Sequence, residues 1–223
     1  QADAIGTGFA SFTASATNYV QIGDINATAY AICMWFKPDV VFNKDTAGQF
    51  LMNLHNDGSY HGICLGYFTG SFDNEIITIT DANVDKSTYG HDTDSISTDW
   101  HHLALSWNST DTKYNIYLDG ISLPVTESGT TALIDADYVQ FGRRSDGYSN
   151  HYNGLLKNVG IWSGTLTQAQ IQSIMEKTYS ELTATEKSTL VSWWGLDTQT
   201  GTDGEAGTGG VKDEHGSNHG TLA

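Results

Sequence analysis

Trp100-His101-His102-Leu103-Ala104-Leu105-Ser106-Trp107, followed by Tyr114-Asn115-Ile116-Tyr117-Leu118 and then Asp119-Gly120-Ile121, is the most legible stretch of the chain. Successive side chains of a strand point to opposite faces. Leu103, Leu105 and Trp107 share one parity, as do Tyr114, Ile116 and Leu118, so each run can set an apolar face against one core. Asp-Gly is a strong signal for a tight hairpin because both positions tolerate positive φ. It predicts an antiparallel turn from the second run into Ile121.

Upstream, the pattern alternates from Phe9 to Ile22 and reads as one strand; Ala31 to Phe36 makes a second, stopped by Lys37-Pro38. Phe50 to Leu54 and Ile63 to Phe68 are further strands around the turn-rich Asn56-Asp57-Gly58-Ser59, and Ile76 to Ile79 is another. Downstream, Tyr138 to Gly142 and Val159 to Trp162 complete the strands. Thr167 with Gln170 forms a capping box ahead of Ile171, Ile174 and Met175 at helical spacing, and Thr183 with Glu186 repeats the box before Leu190 to Trp194. Asp197 to Gly220 is Gly-, Thr- and Asp-rich and is expected to be loop.

The chain of 223 residues is 39% hydrophobic and 11% aromatic, enough for one large β core. Its 24 glycines, 2 prolines and many turn residues suit strands joined by turns, so the class is all-β, with helix the minority. Ten basic against 26 acidic residues give a net charge of -16, which repels phosphate backbones and anionic lipid. Nucleic acid and membrane are therefore not expected as partners, and no apolar run reaches spanning length. Cys33 and Cys64 lack metal-ligand spacing and read as buried thiols or one bridge. A chain opening on Gln1 is expected to have lost a leader or to be a piece of a longer one.

The Trp-His-His strand, the second strand and the Tyr-Leu-Asp-Gly hairpin together resemble a laminin-G-like domain of the concanavalin-A-like kind. Phe141-Gly142-Arg143, Tyr152-Asn153-Gly154-Leu155 and the helix Leu166 to Met175 extend the likeness over residues 9–178. The resemblance implies a two-sheet antiparallel jelly-roll sandwich with one or two short C-terminal helices. Leu190 to Asp197 with Asp213 to Leu222 resembles the opening of a further such repeat. Residues 1–189 are thus expected to form the sandwich and 190–223 to pack on it or on a neighbour's. Tandem modules of this texture are similar to those of phage tail-fibre and virion surface proteins. The resemblance therefore implies an extracellular or virion-surface location, with self-association or other particle proteins as partners.

Catalytic signatures are missing. No three carboxylates fall at i, i+2 and i+4, as the laminarinase-type strand on this fold requires, and there is neither a Gly-x-Ser-x-Gly elbow nor a phosphate-binding glycine loop. The chain is expected not to be an enzyme, with a glycoside hydrolase as the remote alternative. His101 and His102 are adjacent on a strand and face apart, which points to one buried, hydrogen-bonded histidine rather than a shared metal. At the places where the family resemblance would put calcium-binding aspartates, this chain has Thr13 and Asn158. A separate candidate for calcium, Asp81, Asn83, Asp85 and Asp92, puts oxygen ligands at the first, third, fifth and twelfth places of a loop. Lys86 holds the sixth place where a glycine is wanted, and a plain solvated loop is the competing reading. No cofactor is required.

Glycan recognition asks for aromatic faces beside Asp, Asn or Arg in rim loops. Two loops qualify: Arg143, Asp146, Tyr148, Asn150, His151 and Tyr152 in one, and Asp57, Tyr60 and His61 in the other. Loop packing or a protein contact is the competing reading for both. Asn26 and Asn108 begin Asn-x-Thr sequons. The expectation is a surface-attachment module for a glycan or host surface, the alternative a purely structural assembly or cement protein.

Overall fold

The alternation that marks Trp100–Trp107 as a strand carries two buried faces rather than one, and this sets the layering of the molecule. The computed structural model describes residues 8–14, 17–43, 46–56, 59–66, 77–81, 84–89, 95–125, 134–135, 138–144, 150–196 and 210–222; for 55–56, 59–61, 77–81, 84–89 and 134–135 the backbone alone is described. In chain order the first strands are β1 (Ala10–Phe12), β2 (Val20–Ile22), β3 (Thr28–Ala29), β4 (Ala31–Pro38), β5 (Gln49–Asn56) and β6 (Ser59–Leu65). They continue as β7 (Ile77–Asp81), β8 (Val84–Tyr89), β9 (His101–Asn108), β10 (Lys113–Leu118), β11 (Ile121–Ser122) and β12 (Ile134–Asp135). Strands β13 (Tyr138–Phe141) and β14 (Gly154–Trp162) lead to helix α1 (Gln168–Ile174), a 3-10 turn at Tyr179–Glu181 and helix α2 (Ala184–Lys187). The chain closes with β15 (Leu190–Trp194), β16 (Gly210–Val211) and β17 (Gly220–Leu222).

One sheet runs β1-β14-β4-β9-β10-β11, with β15 sharing the outer edge of β14, and the other runs β16-β17-β2-β13-β5-β6-β7-β8. Strand pairing is antiparallel throughout the two sheets, so this is a jelly-roll sandwich. Between the sheets lie Phe12, Ile22, Met34, Phe36, Leu103, Leu105, Tyr114, Ile116, Phe141, Tyr152 and Trp194. Asp119 and Gly120, with φ of 51° and 74°, make the two-residue turn that sets Leu118 opposite Ile121.

The other parity of β4 and β9 is apolar too. Ala31, Cys33 and Ala104 are small and leave room for Trp162, Ile171, Ile174, Leu182 and Trp193, a second core on the outer face of that sheet. Ser106 Oγ donates to the Leu166 carbonyl at 2.8 Å and accepts the Leu166 N–H at 2.9 Å, pinning the chain as it enters the helical cover. The Thr167–Gln170 capping box starts α1, and Trp35 Nε1 donates to the Met175 carbonyl at 3.2 Å just after it. A seven-residue helix is marginal alone, so burial of Ile171 and Ile174, each worth roughly 1.5–3 kcal/mol, holds it in place.

Several expectations change. The run Phe9–Ile22 is not one strand but two, β1 in the first sheet and β2 in the second, because the chain crosses between layers around Asn18. Gly210–Val211 is a strand inside the expected loop Asp197–Gly220, and Gly220–Leu222 is a strand that begins at its last residue; β17 pairs with β2, and β15 pairs with β14, all within one chain. The Thr178–Glu181 box that opens the 3-10 turn was not anticipated. Cys33 and Cys64 are buried thiols on different sheets, and burial pushes the Cys33 thiol far up.

Candidate functional site

The helical segment closes the outer face of the first sheet, so a ligand is left with the outer face of the second and the loops at its edge. Register places a polar row across that second sheet: Thr221 opposite Gln21, Gln21 opposite Gln140, Gln140 opposite Asn53, and Asn53 opposite Gly62. Each described side chain of this row alternates with core residues such as Ile22, Val139 and Leu54. Gln140 Nε2 donates to Gln21 Oε1, and Gln21 Nε2 to the Ile22 carbonyl at 2.9 Å. Asn53 and Gln140 are buried.

At the rim, β13 ends at Phe141 and Gly142 follows, whose φ of +84° takes the chain out of the strand and over Phe12. Its N–H donates to the Leu51 carbonyl and its own carbonyl accepts from Tyr152 N, both at 2.9 Å. Arg143 and Arg144 follow. The Arg143 guanidinium lies 4.2 Å from the centre of the Tyr19 ring, and that of Arg144, only 4% exposed, lies 5.3 Å from the centre of the Phe50 ring. The returning strand of the loop is tied to β5: Asn150 Nδ2 donates to the Gly48 carbonyl at 2.8 Å, Phe50 N–H to the Asn150 carbonyl at 3.0 Å, and Asn153 N–H to Gln49 Oε1 at 2.8 Å. His151 is buried beside them, and burial, then the charge of Arg143, hold its imidazole below its ordinary pKa.

Of the residues expected to bind a ligand, Arg143, Asn150 and His151 are brought together here. Tyr152 is not available: its ring fills the core against Phe12 and its hydroxyl donates to the Leu155 carbonyl at 3.3 Å. Tyr60 lies across from His55 and His61 across from Leu54 in the register of β5 and β6. Asp57, Asp146 and Tyr148 lie outside the described residues. Tyr19 and Phe50, which seat the two guanidiniums, and Arg144 itself were missed as site residues. No local spacing links them, although the paired arginine in a chain so poor in basic residues was a visible signal.

Two of the four expected calcium ligands fall on described strands. Asp81 ends β7 and Asp85 sits in β8 opposite Thr80. Asn83 and Asp92 lie outside the described residues. Among the described residues no group of three or more His, Cys, Asp or Glu is placed to hold a metal ion, and no helix is long and apolar enough to cross a membrane.

Both adjacent histidines are buried, where one was expected. His101 Nδ1 lies 2.9 Å from Asp119 Oδ2 and its Nε2 3.0 Å from Ser97 Oγ, spacings that a Ser-His-Asp triad would also show. Yet Ser97 Oγ is equally close, 3.0 Å, to Asp99 Oδ2, and it accepts the Asp99 N–H at 3.2 Å. Its proton has a carboxylate to go to, and nothing commits it to the imidazole. Asp119 Oδ1 accepts the His102 N–H at 2.8 Å, so the cluster clasps the hairpin turn to the start of β9.

A laminin-G family model of the concanavalin A-like lectin/glucanases superfamily matches residues 14–172, and the chain belongs to that family. It is 23% identical over 193 residues to the sushi, von Willebrand factor type A, EGF and pentraxin domain-containing protein 1 of Rattus norvegicus, covering 78% of this chain and 5% of that protein. The chain thus spans a small part of this curated relative. A solved Bacteroides ovatus protein described as carbohydrate-binding shares the fold at 16% identity and a TM-score of 0.64, over 96% of this chain and 57% of that one. Domain 4 of an extracellular arabinanase of Geobacillus stearothermophilus, solved with arabinotriose, is similar at 16% identity and a TM-score of 0.53, over 75% and 76% of the two chains. The fold is that of lectin-like and carbohydrate-binding modules.

Proposed function

We propose that this chain is a non-enzymatic attachment module that binds a glycan at the rim formed by Tyr19, Phe50, Arg143, Arg144, Asn150 and His151. The observation that carries the reading is that Arg143 and Arg144 lie on the rings of Tyr19 and Phe50 while Asn150 and His151 are tied to the same edge of β5, on the sandwich face that the helices do not cover. The carbohydrate-binding relatives of the same fold support it. Its setting is an extracellular one, on a virion surface as a decoration or tail-fibre component or in a secreted adhesion protein. Residues 1–189 form the sandwich, and 190–223 complete it. A shallow rim site binds weakly, and association with further copies or other particle proteins raises the avidity.

The test is a glycan array probed with the folded full chain. Binding to one class of sugar, lost in the Asn150→Ala and His151→Ala variants, is the expected result. A blank array with protein shown to be folded by circular dichroism would remove the glycan reading and leave a purely structural module.

A further inference from the structure

Among the described residues, the segment 210–222 joins the second sheet through one strand pairing, β17 on β2, with β16 lying outside β17. The connection between β16 and β17 closes on Asp213. Its carboxylate gathers three backbone donors, Oδ1 the N–H groups of Trp193 and His215 and Oδ2 that of Asn218. Its own N–H donates to Nδ1 of His219 at 3.1 Å, which ties the two ends of the connection together. Asp213 is buried, and a buried N–H that loses its acceptor costs free energy.

That last bond runs one way only. A backbone N–H donates and never accepts, so Nδ1 of His219 keeps its lone pair and the ring proton sits on Nε2. An imidazolium carries N–H at both nitrogens, and the acceptor is then gone. The other histidine of the connection is built differently. His215 Nδ1 lies 3.2 Å from the Tyr179 hydroxyl, which accepts as well as donates, so protonation there leaves a hydrogen bond in place. The charged groups around His219 are few. Asp213 and Glu214 belong to the connection itself, Lys212 follows Val211 where β16 ends, and Asp24 lies just past Ile22 where β2 ends. Strand β15, Leu190–Trp194, brings no charge, and the 3-10 turn brings Tyr179 with Lys187 lying 4.1 Å from the centre of its ring, on the His215 side. The Asp213 carboxylate is directed at its three N–H donors rather than at the imidazole.

We infer that the connection 213–219 is an acid-sensitive latch: protonation of His219 withdraws the acceptor from the Asp213 N–H and releases the β16–β17 pair from β2 while the rest of the sandwich stays folded. Release leaves the backbone groups of Val20–Ile22 as an unpaired sheet edge. The latch is independent of what the rim binds.

The experiment is amide hydrogen exchange of the folded full chain at about pH 7.5 and about pH 5.5, the range in which histidine ordinarily changes charge, read by mass spectrometry as protection relative to the intrinsic rate at each pH. Protection of 210–222 should fall about tenfold at the lower pH, the effect of one buried N–H losing its acceptor. In His219→Asn the amide oxygen stands where Nδ1 stood and does not titrate, so protection of 210–222 should be the same at both pH values, while β9, which carries His102, responds to acid as in the parent chain. A second reading needs no variant: across a pH series, the midpoint of the loss at 210–222 should coincide with the midpoint at which the His219 ring resonances shift in NMR spectra. Undiminished protection at the lower pH, an equal fall in His219→Asn, or a midpoint that follows another histidine would overturn the inference.

Discussion

His102 makes the stability of this protein depend on mild acid. The ring is 1% exposed on the outer face of the first sheet, edge-on to Trp35 at 5.3 Å between centroids, and its Nδ1 has no hydrogen-bond partner among the described residues. Burial holds the imidazole neutral and lowers its pKa from 6.5 to about 4, against an opposing pull from the Asp119 carboxylate. The unfolded chain binds the proton more readily than the folded one, so stability is complete above about pH 6.5 and falls as pH drops toward 4. At about 1.4 kcal/mol for each pH unit, the loss approaches roughly 3 kcal/mol, a large part of the 5–15 kcal/mol typical of a domain. Urea unfolding followed by tryptophan fluorescence at pH 7.5, 5.5 and 4.5, in the native chain and in His102→Phe, measures it. His151 titrates in the same direction in both proteins, so the difference between the two curves isolates His102. Parallel loss of stability in the two proteins would falsify the account.

Two further outcomes follow from particular contacts. In Gly142→Ala the new Cβ would lie 2.2 Å from Phe12 Cδ1 on a backbone with φ of +84°, so a loss of about 3 kcal/mol is expected in the urea midpoint; a loss below about 1 kcal/mol would mean that Phe12 gives way. Asp213 is 2% exposed and accepts N–H groups from Trp193, His215 and Asn218 at 2.9, 3.0 and 3.1 Å. Asp213→Ala should cost about 3 kcal/mol and open the 210–222 segment to limited proteolysis, and a tail as resistant as in the parent chain would refute this.

What the sequence by itself determined is local. The Asp119-Gly120 turn, the capping boxes at Thr167 and Thr183, and the parity of Leu103 and Leu105 each depend on a few neighbouring residues whose backbone preferences act within one turn or one strand. The family likeness of the Trp-His-His hairpin brought the sandwich with it. Parity, however, says which residues share a face and not what covers that face. That Ala31, Cys33 and Ala104 lie under helices, that Tyr152 turns into the core, and that the tail completes its own sheets were decided by packing between segments far apart in the chain. The rim has the same origin. Arg143 was legible as a rim residue, but the seats of Arg143 and Arg144 on Tyr19 and Phe50 exist only because β2, β13 and β5 are neighbours, and strand order is fixed by the summed burial of the whole sandwich rather than by any local signal.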